Sequence, residues 1–163
     1  MELVYERGQA RAIGVSNFEK QHLMDIFNMN SLMPAVNQFE FHGYWHEFEL
    51  VEYCQSYKIT VNAYAPLGTP DVTYGYWDPV LTSQPTAINI GRKYGKSATQ
   101  VWLRWIYQQG IVSNPRSWNI SHQQENMEIF DFQLNQEDML QLSSVTPPAG
   151  KVPKVCPDPT YYA

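Results

Sequence analysis

The feature that most restricts the fold is an alternation between short apolar runs and longer stretches with a helical repeat, sustained over most of the chain. Residues 10–15 (Ala10, Arg11, Ala12, Ile13, Gly14, Val15) read as a short extended run ended by Ser16-Asn17. From Glu19 to about Asn28, Leu23, Ile26 and Phe27 then recur at helical spacing. After Pro34 the run Ala35-Val36-Asn37-Gln38-Phe39-Glu40-Phe41 alternates apolar and polar residues. A helix follows from about Glu47, with Leu50, Tyr53, Cys54 and Tyr57 at i, i+3, i+4 and i+7. Residues 59–64 form a third, β-branched run. A helix over about 86–94 is closed by Gly95, and Ser97-Ala98-Thr99-Gln100 has the form of a capping box. The helix it opens carries Ala98, Val101, Trp102, Trp105 and Ile106 on one stripe, which reads as core, and stops at Gly110. A fourth strand over 111–114 runs into Pro115. Two more helices are expected over about 122–130 and 136–144, the second with Asn135 as N-cap and Glu137 and Asp138 in its first turn.

Strands joined by helical crossovers lie parallel, because a parallel connection needs a crossover of about a dozen residues. The expected organisation is one α/β domain over residues 1–145 and an irregular arm over 146–163, where five prolines fall. Between Ala65 and Pro85, Pro66, Gly68, Pro70, Gly75 and Pro79 forbid regular structure, and a loop of this length is usually functional or disordered.

The chain has 163 residues, enough to bury a core, but a complete (β/α)8 barrel needs ~250 and rarely fewer than ~200. Charged residues are 17% against the usual ~25%, and aromatics are 14%, so much of the chain seeks an interior or a covering surface. The net charge of −5 and the lack of a long basic block argue against nucleic acid or an anionic membrane as partner. No apolar run approaches the ~18–20 residues of a membrane span. The residues Met1 to Glu6 lack the features of a signal peptide, so a cytoplasmic location is expected. Cys54 and Cys156 then read as reduced bystander thiols, and the Asn119-Ile120-Ser121 sequon as unused.

In parallel α/β folds ligands sit at the carboxyl ends of the strands. Those ends carry Ser16-Asn17, Asn37-Gln38-Phe39-Glu40, Tyr64 and Pro115-Arg116-Ser117. Ser, Asn and Gln side chains suit a carboxamide, which is both donor and acceptor, and Tyr offers a flat face to a ring. Polar residues at strand ends more often serve turn and cap chemistry, so each signal taken singly is weak. His42 and His46 are spaced i, i+4, but no Glu follows His42 and Gly43 works against a helix, so a loop or structural role is expected rather than a metal site. Tyr44-Trp45 reads as a pocket mouth or a cover over helix ends. Tyr74, Tyr76 and Trp77 read equally as pocket lining or as packing of the long loop.

Three early strings resemble the aldo-keto reductase superfamily in content and order: Arg11-Ala12-Ile13-Gly14-Val15-Ser16-Asn17-Phe18, Pro34-Ala35-Val36-Asn37-Gln38-Phe39-Glu40 and Ala63-Tyr64-Ala65-Pro66-Leu67-Gly68. So do Gln100 to Trp105, Gly110 to Ser117, Glu125-Asn126 and Ile129 to Leu134. The resemblance covers essentially the whole chain up to the tail. It implies the C-terminal half of a TIM (β/α)8 barrel: four parallel strands with crossover helices, fifth to eighth in the family's order, followed by closing helices and tail.

What the resemblance implies for function is a site for NADP, with NAD open, and reduction of a small aldehyde or ketone. Ser16, Asn17 and Gln38 would hold the carboxamide, and Tyr64 would stack on the nicotinamide ring. Leu67, Thr69 and Asp71 would belong to a loop over the pyrophosphate. Arg116 and Ser117 would lie at the adenosine 2′-phosphate, and Glu125 and Asn126 at the adenine. Five positions depart from the family pattern. Ala65 replaces a Ser, which removes a hydroxyl. Arg116 replaces a Lys, which keeps the charge and offers a planar fork. His122 replaces an Arg, and imidazoles are mostly neutral at pH 7, which weakens the preference for a 2′-phosphate. Trp118 and Asn119 differ from the small and threonine residues common there.

The family's proton donor is a Tyr assisted by Lys, Asp and His, all from the first half of the barrel. No residue here maps onto that set, so none is expected to be catalytic. Four parallel strands alone leave two open edges. Three expectations follow: a truncated chain, a half that assembles with a complementary half-barrel chain or with itself, or a degenerate member. The alternative to a reductase portion is a non-catalytic nucleotide-binding or interaction protein.

Overall fold

The structure, a computed structural model, describes residues 1–29, 32–68 and 81–147. In order along the chain come α1 (Glu2–Glu6), β1 (Gly14–Ser16), α2 (Lys20–Asn28), β2 (Val36–Glu40), α3 (Phe48–Ser56), β3 (Thr60–Tyr64) and a 3-10 turn (Leu81–Ser83). Then follow α4 (Pro85–Tyr94), α5 (Ala98–Gln108), β4 (Val112–Ser113), α6 (Ile120–Met127) and α7 (Gln136–Ser143). The strands form one sheet in the order β1-β2-β3-β4.

The chain divides into two compact units. Among the described residues, one holds Met1–Phe39 and Glu47–Asn62, the other Glu40–His46 and the described residues after Asn62. In the first unit β1 and β2 are parallel, with Gly14 beside Val36, Val15 beside Asn37 and Ser16 beside Gln38. The Ala35 N–H donates to Ile13 O at 2.8 Å and the Thr60 N–H to Ala35 O at 2.9 Å, so three strands start in step. Leu23 of α2, Val51 and Cys54 of α3, and Phe39, Ile59 and Val61 are buried here. In the second unit the Phe41 N–H reaches Tyr64 O at 3.5 Å and the Asn114 N–H reaches Ala63 O at 3.1 Å, so the carboxyl ends also run in step. Its core is built on α5, of which Val101, Trp102, Leu103, Trp105 and Ile106 are all 0% exposed. Phe41 stacks on Trp105 with centroids 5.5 Å apart, and Trp102 meets Trp105 edge-on at 5.6 Å.

Local chemistry accounts for the helix ends. Ser97 Oγ accepts the Gln100 N–H at 3.2 Å while Gln100 Oε1 accepts the Ser97 N–H at 3.1 Å, the reciprocal box the sequence suggests. Asn135 Oδ1 accepts the Asp138 N–H at 2.8 Å and starts α7. The first strand departs from the sequence reading: it is Gly14–Ser16 rather than 10–15. Its length is set by its partner, because only the residues facing Val36–Gln38 have a ladder to join. The fourth shrinks likewise from 111–114 to Val112–Ser113. α1 carries no buried residue and gives no periodic signal, but Glu2 Oε1 accepts the Leu32 N–H at 2.8 Å.

Candidate functional site

In the first unit, the carboxyl end of β1 lies beside the middle of β2 and brings Ser16, Asn17 and Gln38 together. Ser16 and Gln38 are paired across the ladder, and the Gln38 carbonyl accepts both the Ser16 hydroxyl at 2.9 Å and the Asn17 N–H at 2.8 Å. Asn17 leaves the strand with φ at +58°, a left-handed conformation that Asn tolerates better than most residues. Successive strand residues face opposite sides. Asn37 faces α3, its Nδ2 3.8 Å from Cys54 Sγ, so Gln38 and its partner Ser16 share the other side of the sheet. Residues bearing one hydroxyl and two carboxamides therefore meet where β1 ends beside the middle of β2. That donor and acceptor set fits a ligand carboxamide. Burial pushes the Cys54 thiol up, against a smaller downward pull from its Asn37 contact, so Cys54 is a neutral packing group.

The second unit holds the other expected residues. Tyr64 is the last residue of β3, half-buried, and Ala65 after it has φ at +47°. The chain then turns tightly through Pro66 and Leu67, with the Gly68 N–H on Ala65 O at 2.9 Å. Thr69 and Asp71 lie outside the described residues, as does the arm from residue 148. Arg116 is exposed in the segment after β4, and Ser117 Oγ is engaged locally, accepting the Asn119 N–H at 3.1 Å. Asn119 in turn caps α6, its Oδ1 accepting the Ser121 N–H at 2.9 Å. Glu125 and Asn126 stand half-buried near the end of α6. A groove of about 680 Å3 runs between β4 and α6. Asn126 and Gln123 are on its wall with Tyr107, Met127 and Phe130, whereas Arg116, Ser117 and Glu125 are not among its lining.

His42 and His46 both lie in the second unit, each against neighbouring side chains. His42 is 1% exposed, with Nε2 3.0 Å from Glu40 Oε1, and its Nδ1 accepts the Tyr44 N–H at 3.3 Å. That pairing assigns the ring proton to Nε2. His46 packs edge-on against Trp105 at 5.7 Å, and burial is the main reason its pKa is lowered. No cluster of three or more His, Cys, Asp or Glu suited to a metal ion occurs among the described residues. No described helix is long and apolar enough to cross a membrane.

Asn37 is the participant that residue-by-residue reading passes over. It is fully buried, its Nδ2 donates to Phe18 O at 2.7 Å, and its Oδ1 accepts the Phe18 N–H at 3.4 Å.

Comparison with known proteins gives consistent results. The aldo/keto reductase family pattern matches residues 1–146. Aldo-keto reductase family 1 member A1-A of Danio rerio is 42% identical over 147 residues, covering 88% of this chain and 45% of that protein. Aldose reductase C of Dictyostelium discoideum is 40% identical over 145 residues, covering 89% of this chain and 43% of that protein. The crystal structure of the aldo-keto reductase AKR2E5 of the silkworm, Bombyx mori, complexed with NADPH superposes with a TM-score of 0.80 at 43% identity. It covers 87% of this chain and 44% of that one. The chain thus spans less than half the length of these relatives, and its four parallel strands with helices match a fragment of a (β/α) barrel.

Proposed function

Because the chain belongs to the aldo/keto reductase family, we propose that it is the C-terminal half of an NADP-dependent carbonyl reductase, carrying most of the cofactor site and none of the proton-transfer groups. Residues 1–145 are the half barrel and 146–163 the arm beside the substrate. The observation that carries this reading is the grouping of Ser16, Asn17 and Gln38 where β1 ends beside the parallel strand β2, a set suited to a carboxamide. When bound, the cofactor supplies the hydride. Ser16, Asn17 and Gln38 hold its carboxamide and so fix which way the ring lies. Tyr64 offers its aromatic face to the ring, a contact that excludes water from one side. Leu67, Thr69 and Asp71 cover the pyrophosphate, Arg116 and Ser117 take the 2′-phosphate, and Glu125 and Asn126 take the adenine. Ala65, which has no hydroxyl, contributes only backbone.

A small aldehyde or ketone is the substrate class, and no residue among these 163 maps onto the Asp, Tyr, Lys and His of the family's first half. The test is a fluorescence titration of the 163-residue chain with NADPH and NADH, followed by an aldehyde-reduction assay with and without a chain that supplies the first four strands. Binding of NADPH with turnover only in the reconstituted mixture is the expected outcome. Binding without turnover in either case supports a nucleotide-binding protein instead, and no binding of either dinucleotide overturns the site.

A further inference from the structure

We infer that Asn37 is a positioning residue that holds Asn17 in its binding conformation without itself touching the ligand; the inference rests on the carboxamide site proposed above. Asn37 is 0% exposed. Its side chain closes on both backbone groups of Phe18, with Nδ2 donating to the carbonyl at 2.7 Å and Oδ1 receiving the N–H at 3.4 Å. The second Nδ2 hydrogen points to Cys54 Sγ at 3.8 Å, so both amide hydrogens are engaged.

Phe18 directly follows Asn17, whose φ of +58° is unfavourable for a residue with a side chain. Such a conformation persists only where its surroundings over-determine it. Here the peptide before Asn17 is tied to the Gln38 carbonyl at 2.8 Å, and the Phe18 N–H and carbonyl after it are tied to the Asn37 amide. Both sides of the Asn17 Cα are therefore fixed from adjacent positions of β2, Gln38 through its backbone and Asn37 through its side chain. Only an amide presents a donor and an acceptor to the two backbone groups at once; a carboxylate lacks the donor and a serine lacks the reach. Asn37 faces α3 while Gln38 faces the opposite side, so Asn37 acts through Asn17 and not by contact.

The test compares two ligands on the full chain: NADP+, and 2′-phospho-ADP-ribose, which has everything but the nicotinamide. Asn37→Ser should lower the affinity for NADP+ about tenfold, the scale of one lost hydrogen bond, and leave 2′-phospho-ADP-ribose within twofold. An equal loss for both ligands, or no loss for either, overturns the positioning role while the cofactor site stands on the wild-type binding. A wild-type chain that binds neither ligand overturns the site itself and the inference with it. Should Asn37→Ser fail to fold by circular dichroism, Asn37→Asp takes its place, measured at pH 8, where the carboxylate keeps an acceptor and lacks the donor toward Phe18 O. The affinity for NADP+ should then fall relative to that for 2′-phospho-ADP-ribose by about tenfold. A ratio that stays at the wild-type value, with the wild-type chain as control, overturns the inference.

Discussion

Asp138 Oδ1 lies 2.6 Å from Lys93 Nζ, and through this pair the first turn of α7 is fastened to the last turn of α4. Asp138 is 0% exposed, and its other oxygen accepts the Tyr94 hydroxyl at 2.6 Å. Burial alone would raise the Asp138 pKa, but the hydrogen bonds from Lys93 and Tyr94 outweigh it and hold the carboxyl below its ordinary range.

Asp138→Ala should therefore destabilise the chain by about 2 kcal/mol, the scale of a hydrogen-bonded buried charge removed with its partners left behind. The pH dependence has a definite sign. A carboxyl with a depressed folded pKa contributes stability that is full above its unfolded value, near ~3.9, and that disappears as pH falls through the folded value. Urea titrations from pH 7 down to pH 3 should show wild type and Asp138→Ala converging at the acid end. A difference that does not shrink there removes the carboxylate from the account.

Lys58 has φ at +60° just past α3, with its N–H on Gln55 O at 3.0 Å and the Ile59 N–H on Cys54 O at 2.9 Å. This is the Schellman arrangement, in which the left-handed position normally belongs to Gly. At the end of α4, Gly95 does occupy it, with φ at +66°. Lys58→Gly should stabilise by about 0.5–1 kcal/mol, the left-handed penalty less the added entropy of Gly in the unfolded chain. For a chain of this size that is a rise of about 1–4 °C in Tm. A fall in Tm means that the Lys58 side chain contributes more than its backbone costs.

Gly43 sits where a Cβ would collide with the ring of Trp102, 2.5 Å from Cη2, with Leu81 Cδ2 at 3.0 Å. Trp102 cannot easily yield, because it is fully buried and its indole N–H donates to Leu81 O at 2.8 Å. Gly43→Ala should cost about 1–3 kcal/mol by overpacking, read as a lowered urea midpoint with an unchanged slope. A near-neutral result would show that the His42–Trp45 turn moves away from α5.

These residues also mark how far the sequence could be read. Ser97, Gln100 and Asn135 act on neighbours within one helical turn, so their capping roles follow from local spacing. The stripe of Val101, Trp102, Trp105 and Ile106 is likewise a property of one helix, and all four are fully buried. The Asn37 contacts with Phe18 span 19 residues and the Asp138–Lys93 pair spans 45, and no local pattern announces either. The bounds of β1 are illegible for the same reason, since a three-residue strand exists only where Val36–Gln38 faces it. Of the candidate site, the residue types at the strand ends were legible. The grip of the Gln38 carbonyl on Ser16 and Asn17 was not, because a backbone acceptor leaves no mark on the sequence.

Arg116 provides the test of dinucleotide choice. It is exposed in the segment after β4, two residues before the fully solvated Trp118, and the next residue, Ser117, is tied to Asn119 at the start of α6. The guanidinium is thus carried on a segment fixed to a helix N-terminus, where phosphate is favoured and a planar fork can pair two phosphate oxygens. Arg116→Ala should weaken NADPH about tenfold, the loss of one charge-assisted hydrogen bond, and change NADH less than twofold. Because the contact is solvent-exposed, raising the salt concentration should reduce the wild-type preference for NADPH and leave that of the variant nearly flat. An equal loss for both dinucleotides would place Arg116 away from the 2′-phosphate and leave its segment with a purely structural role.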